Sequence, residues 1–237
     1  MHQRKSKKIL IYFFLLCLLG SINNIDFNKL KIQKIIDVKI LGLENDNNLV
    51  LLKSIKNLKL DNILFTDNKD LKNLINSNSL VENYQIIKRY PSSIDIKIEK
   101  TKFLARINNN KKIYLVGSNG KLTESNFYDN ELPFIFGKPK IEEFINFKKI
   151  IDNSKLSYND IKNFYFFSSK RWDLELKNNV IIKLSKNYIE DSLDLVAEFL
   201  NNQNFEDIKI IDTRIKDQII LNGWRNRFWN LFKLNKE

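Results

Sequence analysis

The sequence predicts an α+β protein: one apolar N-terminal helix, a small β-α-α-β-β unit, and a mainly antiparallel β domain carrying two helices. Three observations predict it. An uncharged apolar run at residues 9–20 follows a cluster of basic residues. Alternating and helical periodicities then succeed one another within residues 35–100, and beyond Lys100 short strand-like segments recur with two helical interruptions.

At 237 residues, with 43% hydrophobic and 12% aromatic content, the chain can bury a core and fits one or two ordinary domains. A formal net charge of +12 raises nucleic acid, anionic lipid or an acidic partner. The lysines are dispersed among Asn and Ile through the whole chain, however, so no phosphate-binding face and no nucleic-acid role are expected. Cys17 is the sole cysteine and His2 the sole histidine. One thiol excludes an intrachain disulfide, and an imidazole at the second residue stands outside any catalytic or metal-binding set in the body. Gly117 and Gly120 read as a turn rather than a phosphate cradle. With no Ser-His-Asp set and no metal-spaced Cys/His cluster, the chain reads as non-enzymatic, without cofactor, metal or small-molecule substrate.

Arg4, Lys5, Lys7 and Lys8 precede the apolar run, so the positive-inside bias places residues 1–8 in the cytoplasm and the body outside. The run is shorter than the roughly 20 apolar residues a spanning helix needs, which fits the apolar core of a cleavable signal peptide. No Ala-x-Ala-like site follows, and Ile22 and Ile25 extend the apolar character while Lys7 and Lys8 can snorkel. An uncleaved single-pass anchor over residues 9–25 is therefore expected, with a polar connector at 26–34.

Ile36, Val38 and Ile40 alternate with Asp37 and Lys39, the signature of a half-buried strand that Gly42 ends. Leu51, Ile55 and Leu58 recur at helical spacing. A second helix is expected from Thr66 as N-cap, with Asp67 and Asp70 near its first turn and Leu71, Leu74 and Ile75 as its buried stripe. Strands at 81–90 and 93–100 join through Pro91-Ser92; in the second, Ile94, Ile96 and Ile98 alternate with Asp95, Lys97 and Glu99. This closes a unit at residues 35–100. In residues 101–221, strands are expected at 103–107, 112–116, 164–167, 172–176, 180–184, 208–212 and 218–221, with a hairpin turn at Asn119-Gly120. Helices are expected at 141–151 and 191–200, the latter striped by Leu193, Val196, Ala197 and Leu200. In the tail, 222–237, Trp224, Phe228, Leu231 and Phe232 stand at helical spacing beside Arg225, Arg227 and Lys233, fitting a helix that lies on the membrane, binds a partner helix, or packs back on the β domain.

These residues resemble the FtsQ/DivIB family of bacterial cell-division proteins. Val38-Lys39-Ile40-Leu41-Gly42 is similar to the opening strand of the family's POTRA domain, and Lys88-Arg89-Tyr90-Pro91-Ser92-Ser93 running into the alternating strand to Lys100 follows its most specific pattern. Tyr114-Leu115-Val116 with Asn119-Gly120, Leu132-Pro133 with Gly137, Arg171-Trp172-Asp173-Leu174-Glu175-Leu176 and Ile211-Asp212-Thr213-Arg214 resemble later family motifs. Lys102, Gly117 and Asn179 depart from the family pattern. The resemblance covers about residues 1–221 and implies a POTRA domain at 35–100 and a β domain at 101–221.

The resemblance further implies a scaffold of the bacterial inner membrane, single-pass with a cytoplasmic N-terminus and a periplasmic body. It would act at the division septum by linking early cytoplasmic to late periplasmic division proteins. Partners resembling FtsB and FtsL are expected to add a strand at the free edge 218–221, with Ile215, Ile219 and Leu221 as apolar contacts and Arg214 and Lys216 meeting carboxylates. The same apolar residues also fit a core-facing role. Lys88, Arg89 and Tyr90 are a second candidate surface, for recruitment through a partner resembling FtsK, and equally fit a structural corner. A POTRA-type envelope chaperone for outer-membrane protein insertion or secretion is the competing function; it would be expected to carry repeated units or a membrane barrel.

Overall fold

The computed structural model describes residues 3–22, 34–58, 60, 69–124, 131–202, 208–223 and 231–233. The connector at 26–33, the cap at Thr66 and Asp67, and Trp224 and Phe228 of the tail lie outside them.

Helix α1 spans Gln3–Ile22, and its apolar residues are solvent-exposed, Phe13 and Leu16 to 67% and 70%. Its first turns are basic, which leaves only the later part uncharged. No helix among the described residues is long and apolar enough to cross a membrane; α1 covers residues 9–22 of the expected anchor, and 23–25 lie outside the described residues.

The first sheet has three strands, β1 (Asp37–Leu41), β2 (Val81–Arg89) and β3 (Ser93–Lys100), in the order β1-β3-β2. Helices α2 (Asn45–Asn57) and α3 (Lys69–Ser77) precede β2 in sequence, which gives the expected element order β-α-α-β-β. β3 runs parallel to β1 and antiparallel to β2, so the central strand is the one with the strict Ile94, Ile96, Ile98 alternation. Those isoleucines pack with Leu51 and Ile55 of α2 and Leu71 and Ile75 of α3. Burying that stripe is what holds such short helices on the sheet. Ile36, expected on the buried face, instead stands before the strand and is 74% exposed; its N–H is spent on Ser92 O, 2.9 Å away. Gly42 follows β1 at φ +120°, where a Cβ would lie 1.8 Å from Ile98 O. Only glycine lets the chain leave the sheet there.

The second sheet has ten strands: β4 (Phe103–Asn109), β5 (Lys112–Gly117), β6 (Leu122–Glu124), β7 (Phe134–Phe136), β8 (Ile161–Phe166), β9 (Trp172–Leu176), β10 (Ile181–Lys183), β11 (Ile208–Asp212), β12 (Gln218–Gly223) and β13 (Leu231–Lys233). Their order is β13-β12-β11-β10-β9-β8-β7-β4-β5-β6. The sheet is mixed rather than simply antiparallel: β4–β7, β7–β8 and β10–β11 are parallel neighbours. Parallel neighbours need long crossovers. α4 (Ile141–Asn153) supplies the one between β7 and β8, and α5 (Ile189–Asn202) the one between β10 and β11. This explains why the β domain contains two helices. Phe144, Phe147 and Ile151 of α4 and Leu193, Val196 and Ala197 of α5 enter one core with Ile135, Phe164, Trp172, Leu174, Ile182 and Ile211.

The two sheets meet where β3 passes into β4. Asn119 Nδ2 donates to the carbonyls of Ser79 and Val81, each at 2.9 Å, and Lys121 Nζ to that of Asn78 at 3.2 Å. Glu82 Oε2 accepts from the Thr101 and Ser118 hydroxyls at 2.9 and 2.7 Å. The turn at Asn119-Gly120, anticipated as a hairpin turn, is thus also the joint between the sheets.

Candidate partner-binding site

The antiparallel ladder β11–β12 turns through residues 213–217, and Arg214, Ile215 and Lys216 are exposed there. Thr213 fixes the base of the turn: both its N–H and its hydroxyl donate to Lys183 O, at 2.9 and 3.0 Å. Ile215 is 52% exposed, an apolar side chain with no core to enter. Lys216 Nζ lies 5.2 Å from the centroid of the Tyr188 ring, a cation–π contact across to the start of α5.

Arg214 is occupied within the chain. Its guanidinium binds the Asp212 carboxylate through Nε at 2.9 and 3.0 Å and through Nη2 at 2.6 Å, and its N–H adds a bond to Asp212 Oδ1 at 3.1 Å. Burial opposes ionisation of Asp212, but the Arg214 hydrogen bonds, with the charges of Arg214 and Lys183, outweigh it and hold the carboxyl below the usual range. Arg214 is therefore a shaped, preorganised cation whose outward surface stays open to water.

The strand itself departs from expectation. β12 is not the sheet edge: β13 pairs with it antiparallel, setting Gln218 opposite Lys233, Ile219 opposite Phe232 and Ile220 opposite Leu231. An uncovered strand presents a row of unpaired N–H and C=O groups, and the chain satisfies part of that row itself. Residues 231–233, read as part of a helical pattern, form this strand; pairing with β12 overrides the spacing. Ile219 is 1% exposed and belongs to the core, and Leu221 packs partly buried against the same core. Both are core-facing rather than open contacts, because positions two apart share a face.

Sequence reasoning missed a cross-strand row on the sheet. The registers align Phe136, Tyr165, Asp173, Lys183, Asp212 and Ile220 across neighbouring strands. Phe136 and Tyr165 stack at 5.0 Å between centroids. Arg171 Nε binds Asp173 at 3.0 Å, and the desolvated Asp173 carboxyl is pushed up despite that partner. Tyr165 donates to Glu175 Oε2 at 2.6 Å; burial first, then that bond, pushes its hydroxyl up to about 12. The available signal was the Arg-x-Asp and Asp-x-Arg spacing at the ends of β9 and β11, which sets each arginine two residues from its carboxylate. A cleft of about 210 Å³ beside the turn, lined by Tyr188, Ser192, Thr213 and Ile215, was also not foreseen.

The second candidate surface resolves into one committed residue and one open one. Arg89 Nε lies 2.5 Å from Asp95 Oδ2, and Asp95 is buried in the central strand, so Arg89 neutralises a carboxylate that breaks the alternation. That is the structural-corner reading. Tyr90 is 65% exposed, and Lys88 is half-buried beside it.

Among the described residues, no group of three His, Cys, Asp or Glu side chains is arranged to hold a metal ion. What the arrangement offers is a turn with two cations and an apolar tip, set beside a strand that β13 pairs at 218–220. The family model described as "Cell division protein FtsQ/DivIB, C-terminal" matches residues 105–214, from β4 through the β11–β12 turn. Over those residues the chain is similar to the FtsQ/DivIB family. It is 23% identical to the "Cell division protein FtsQ" of Rickettsia conorii over 78% of this chain and 70% of that one. Its identity to the protein of that name from Rickettsia felis is 26% over the same shares, and to that from Rickettsia bellii 22% over 76% and 69%. A solved extracytoplasmic domain of DivIB from Geobacillus stearothermophilus overlays 45% of this chain and 99% of its own at 10% identity with a TM-score of 0.33, too loose a likeness to bear on the fold.

The FtsQ/DivIB match ends at Arg214, so β12 and β13 lie beyond it. Within it, the motif residues have physical roles. Trp172 anchors the core against α4, and Gly137, at φ +101°, sits where a Cβ would come within 2.3 Å of Phe166 O. Leu132 and Pro133 give their carbonyls to Arg106 Nε and N, at 3.0 and 2.8 Å.

Proposed function

We propose that this chain is a cell-division scaffold of the bacterial inner membrane that works by binding and catalyses no reaction. The observation that carries the reading is the FtsQ/DivIB match over residues 105–214, extended by similarity to proteins named "Cell division protein FtsQ" over more than three quarters of the chain. In this reading the β1-α2-α3-β2-β3 unit is a POTRA domain that recruits the protein to the septum through a partner resembling FtsK, with Tyr90 and Lys88 on its surface. The ten-stranded domain receives division proteins resembling FtsB and FtsL at the β11–β12 turn. Arg214 and Lys216 meet acidic groups there, and Ile215 supplies apolar area.

The exposed apolar residues of α1 support an anchoring role for that helix. Lys7 and Lys8 reach the headgroups, and the bilayer thins or the helix gathers its following residues to make up the span. The body then lies on the periplasmic side.

The test is the position of an N-terminal fluorescent fusion in growing cells. A midcell band that precedes constriction is expected, with filamentation on depletion. A uniform envelope signal, with normal division after depletion, would overturn the reading and return weight to a POTRA-type envelope chaperone.

A further inference from the structure

We propose that the first sheet docks on the membrane by one end: Ile36 and Tyr90 enter the bilayer interface while Lys34 and Arg89 meet anionic lipid headgroups. The inference rests on the reading of α1 as an anchor, and it adds a second membrane contact, made by the body.

Topology defines that end. β1 starts, β2 finishes and β3 starts there, with Asp37 and Arg89 both registered to Ser93. The other end of β3 runs into the joint with the second sheet, where Asn119, Lys121 and Glu82 make their bonds. At the rise of a β-strand, Ser93 lies about 25 Å from that joint. The chain also enters the body here. Residues 23–33 connect Ile22 of α1 to Lys34, a covalent reach of about 40 Å at most. With α1 in the membrane, the start of the first sheet is held within that distance of the headgroups. So short a tether gives it a millimolar effective concentration at the surface, and a contact too weak to capture a free protein is then occupied.

The residues at this end suit a bilayer interface. Ile35 packs against the core under the first sheet, whereas its neighbour Ile36 is 74% exposed, and Tyr90 in the β2–β3 turn is 65% exposed. Single exposed apolar residues are ordinary on any surface, but these two are held together. Ser92 O accepts the N–H groups of Ile36 at 2.9 Å and Asp37 at 3.4 Å, which pins the entrance of β1 to the turn that carries Tyr90. A tyrosine, apolar along its ring and polar at its tip, fits the headgroup level. The charges agree with the apolar groups. Lys34 is exposed, and Arg89 stays largely exposed while it binds Asp95. The carboxylates nearby already face cations, Asp95 with Arg89 and Asp37 with Lys39 at 3.9 Å. Basic groups set against a bilayer are drawn to its anionic lipids. The same end carries the recruitment surface proposed above, and lipid contact sets it at the level where a partner embedded in the same membrane meets it.

The experiment uses the full chain, one copy per lipid nanodisc, with a nitroxide on a single cysteine and its depth read from accessibility to oxygen and to a neutral nickel chelate. Three positions are compared: native Cys17 in α1 and, on a Cys17→Ser background, Ile36→Cys and Val50→Cys, the last an exposed apolar position on α2. In discs containing phosphatidylglycerol, position 36 is expected to be at least fivefold less accessible to the chelate than position 50. That difference is expected to vanish in discs of phosphatidylcholine alone, and in the anionic discs when Lys34→Glu and Tyr90→Ser are combined. Every substituted position is exposed, so the fold is expected to survive all of these changes. Equal accessibility at 36 and 50, or stronger shielding at 50, overturns the proposal. So does shielding at 36 that ignores both lipid charge and the paired substitutions, or that needs several copies per disc, which would make the occupant a second chain. The anchor is read separately at Cys17. A Cys17 label in the bilayer with a water-exposed label at 36 discards the lipid contact and keeps the anchor, and the reverse pair keeps the contact and discards the anchor.

Discussion

Phe147 of α4 and Trp172 of β9 lie face to face, with ring centroids 4.7 Å apart and planes 6° from parallel. Phe164 meets the same tryptophan edge-on at 6.3 Å, and Phe144 meets Phe164 edge-on at 5.4 Å. The crossover helix is thereby fastened to the middle of the sheet by an aromatic cluster rather than by aliphatic contact alone. Trp172→Ala is expected to destabilise the fold by about 3–5 kcal/mol, and Phe147→Leu by about 1 kcal/mol. Urea unfolding followed by circular dichroism measures both, and near-equal losses would contradict this account of the cluster.

Two glycines with positive φ should respond differently to the same change. At Gly42 a Cβ would overlap Ile98 O at 1.8 Å, whereas at Gly120, φ +73°, nothing lies within 4 Å. Gly120→Ala therefore costs only backbone strain, about 1 kcal/mol. Gly42→Ala must displace the central strand β3 and is expected to cost at least ~3 kcal/mol, with loss of the first sheet's cooperative unfolding. Thermal melts of the two variants side by side make the comparison.

The joint between the sheets depends on Asn119. Asn119→Ala removes both donors to Ser79 and Val81 and leaves those carbonyls to water, at a cost of about 1–2 kcal/mol. The larger effect is geometric: spin labels placed on α3 and α4 should report a broader distance distribution in the variant. An unchanged distribution would show that Glu82 with Thr101 and Ser118 suffices to hold the joint.

Acid should weaken the second sheet. Burial acts against Glu175 and Asp212, but hydrogen bonds from Tyr165, Asn163 and Lys162 on the one, and from Arg214 on the other, leave both folded-state values below the unfolded ones. Their contribution is fully present above the ordinary carboxylate range and is lost as pH falls through the folded values beneath it. Asp173, shifted upward by desolvation, has the opposite sign and partly offsets them. Glu175→Gln is expected to lower stability at neutral pH by about 1–2 kcal/mol and to flatten the fall in stability below about pH 4.5, read by urea midpoints across pH.

Much of the fold was legible wherever one face of an element is buried. The Ile94, Ile96, Ile98 alternation marked a strand with one face on the helices, and Leu193, Val196 and Ala197 marked the inner face of α5. Register and strand direction were less so. Parallel neighbours such as β7 and β8 are brought together by a crossover, and nothing in a three-residue segment such as 134–136 announces its partners. At the candidate site, Arg214, Ile215 and Lys216 were named as contacts without the turn that exposes them, while Ile219 and Leu221 were not separable from core positions by type alone. The tail misled because Leu231 and Phe232 fit a helical spacing locally, and only pairing with β12, a non-local feature, makes 231–233 a strand.

The strand order has a mechanical corollary. From β8 to β13 the strands lie side by side in chain order, and β4 to β6 form a separate meander, so the sheet consists of two panels joined through β7. That seam is three residues wide, parallel on both sides, and registered to β4 at Arg106 with Phe134 and Ile107 with Ile135 alone. Arg106 acts as its rivet: its guanidinium lies 5.7 Å from the centroid of the Phe134 ring while its Nε holds Leu132 O. Tension applied across the sheet would concentrate at this seam, parting the panel attached to the first sheet from the panel that carries the docking turn.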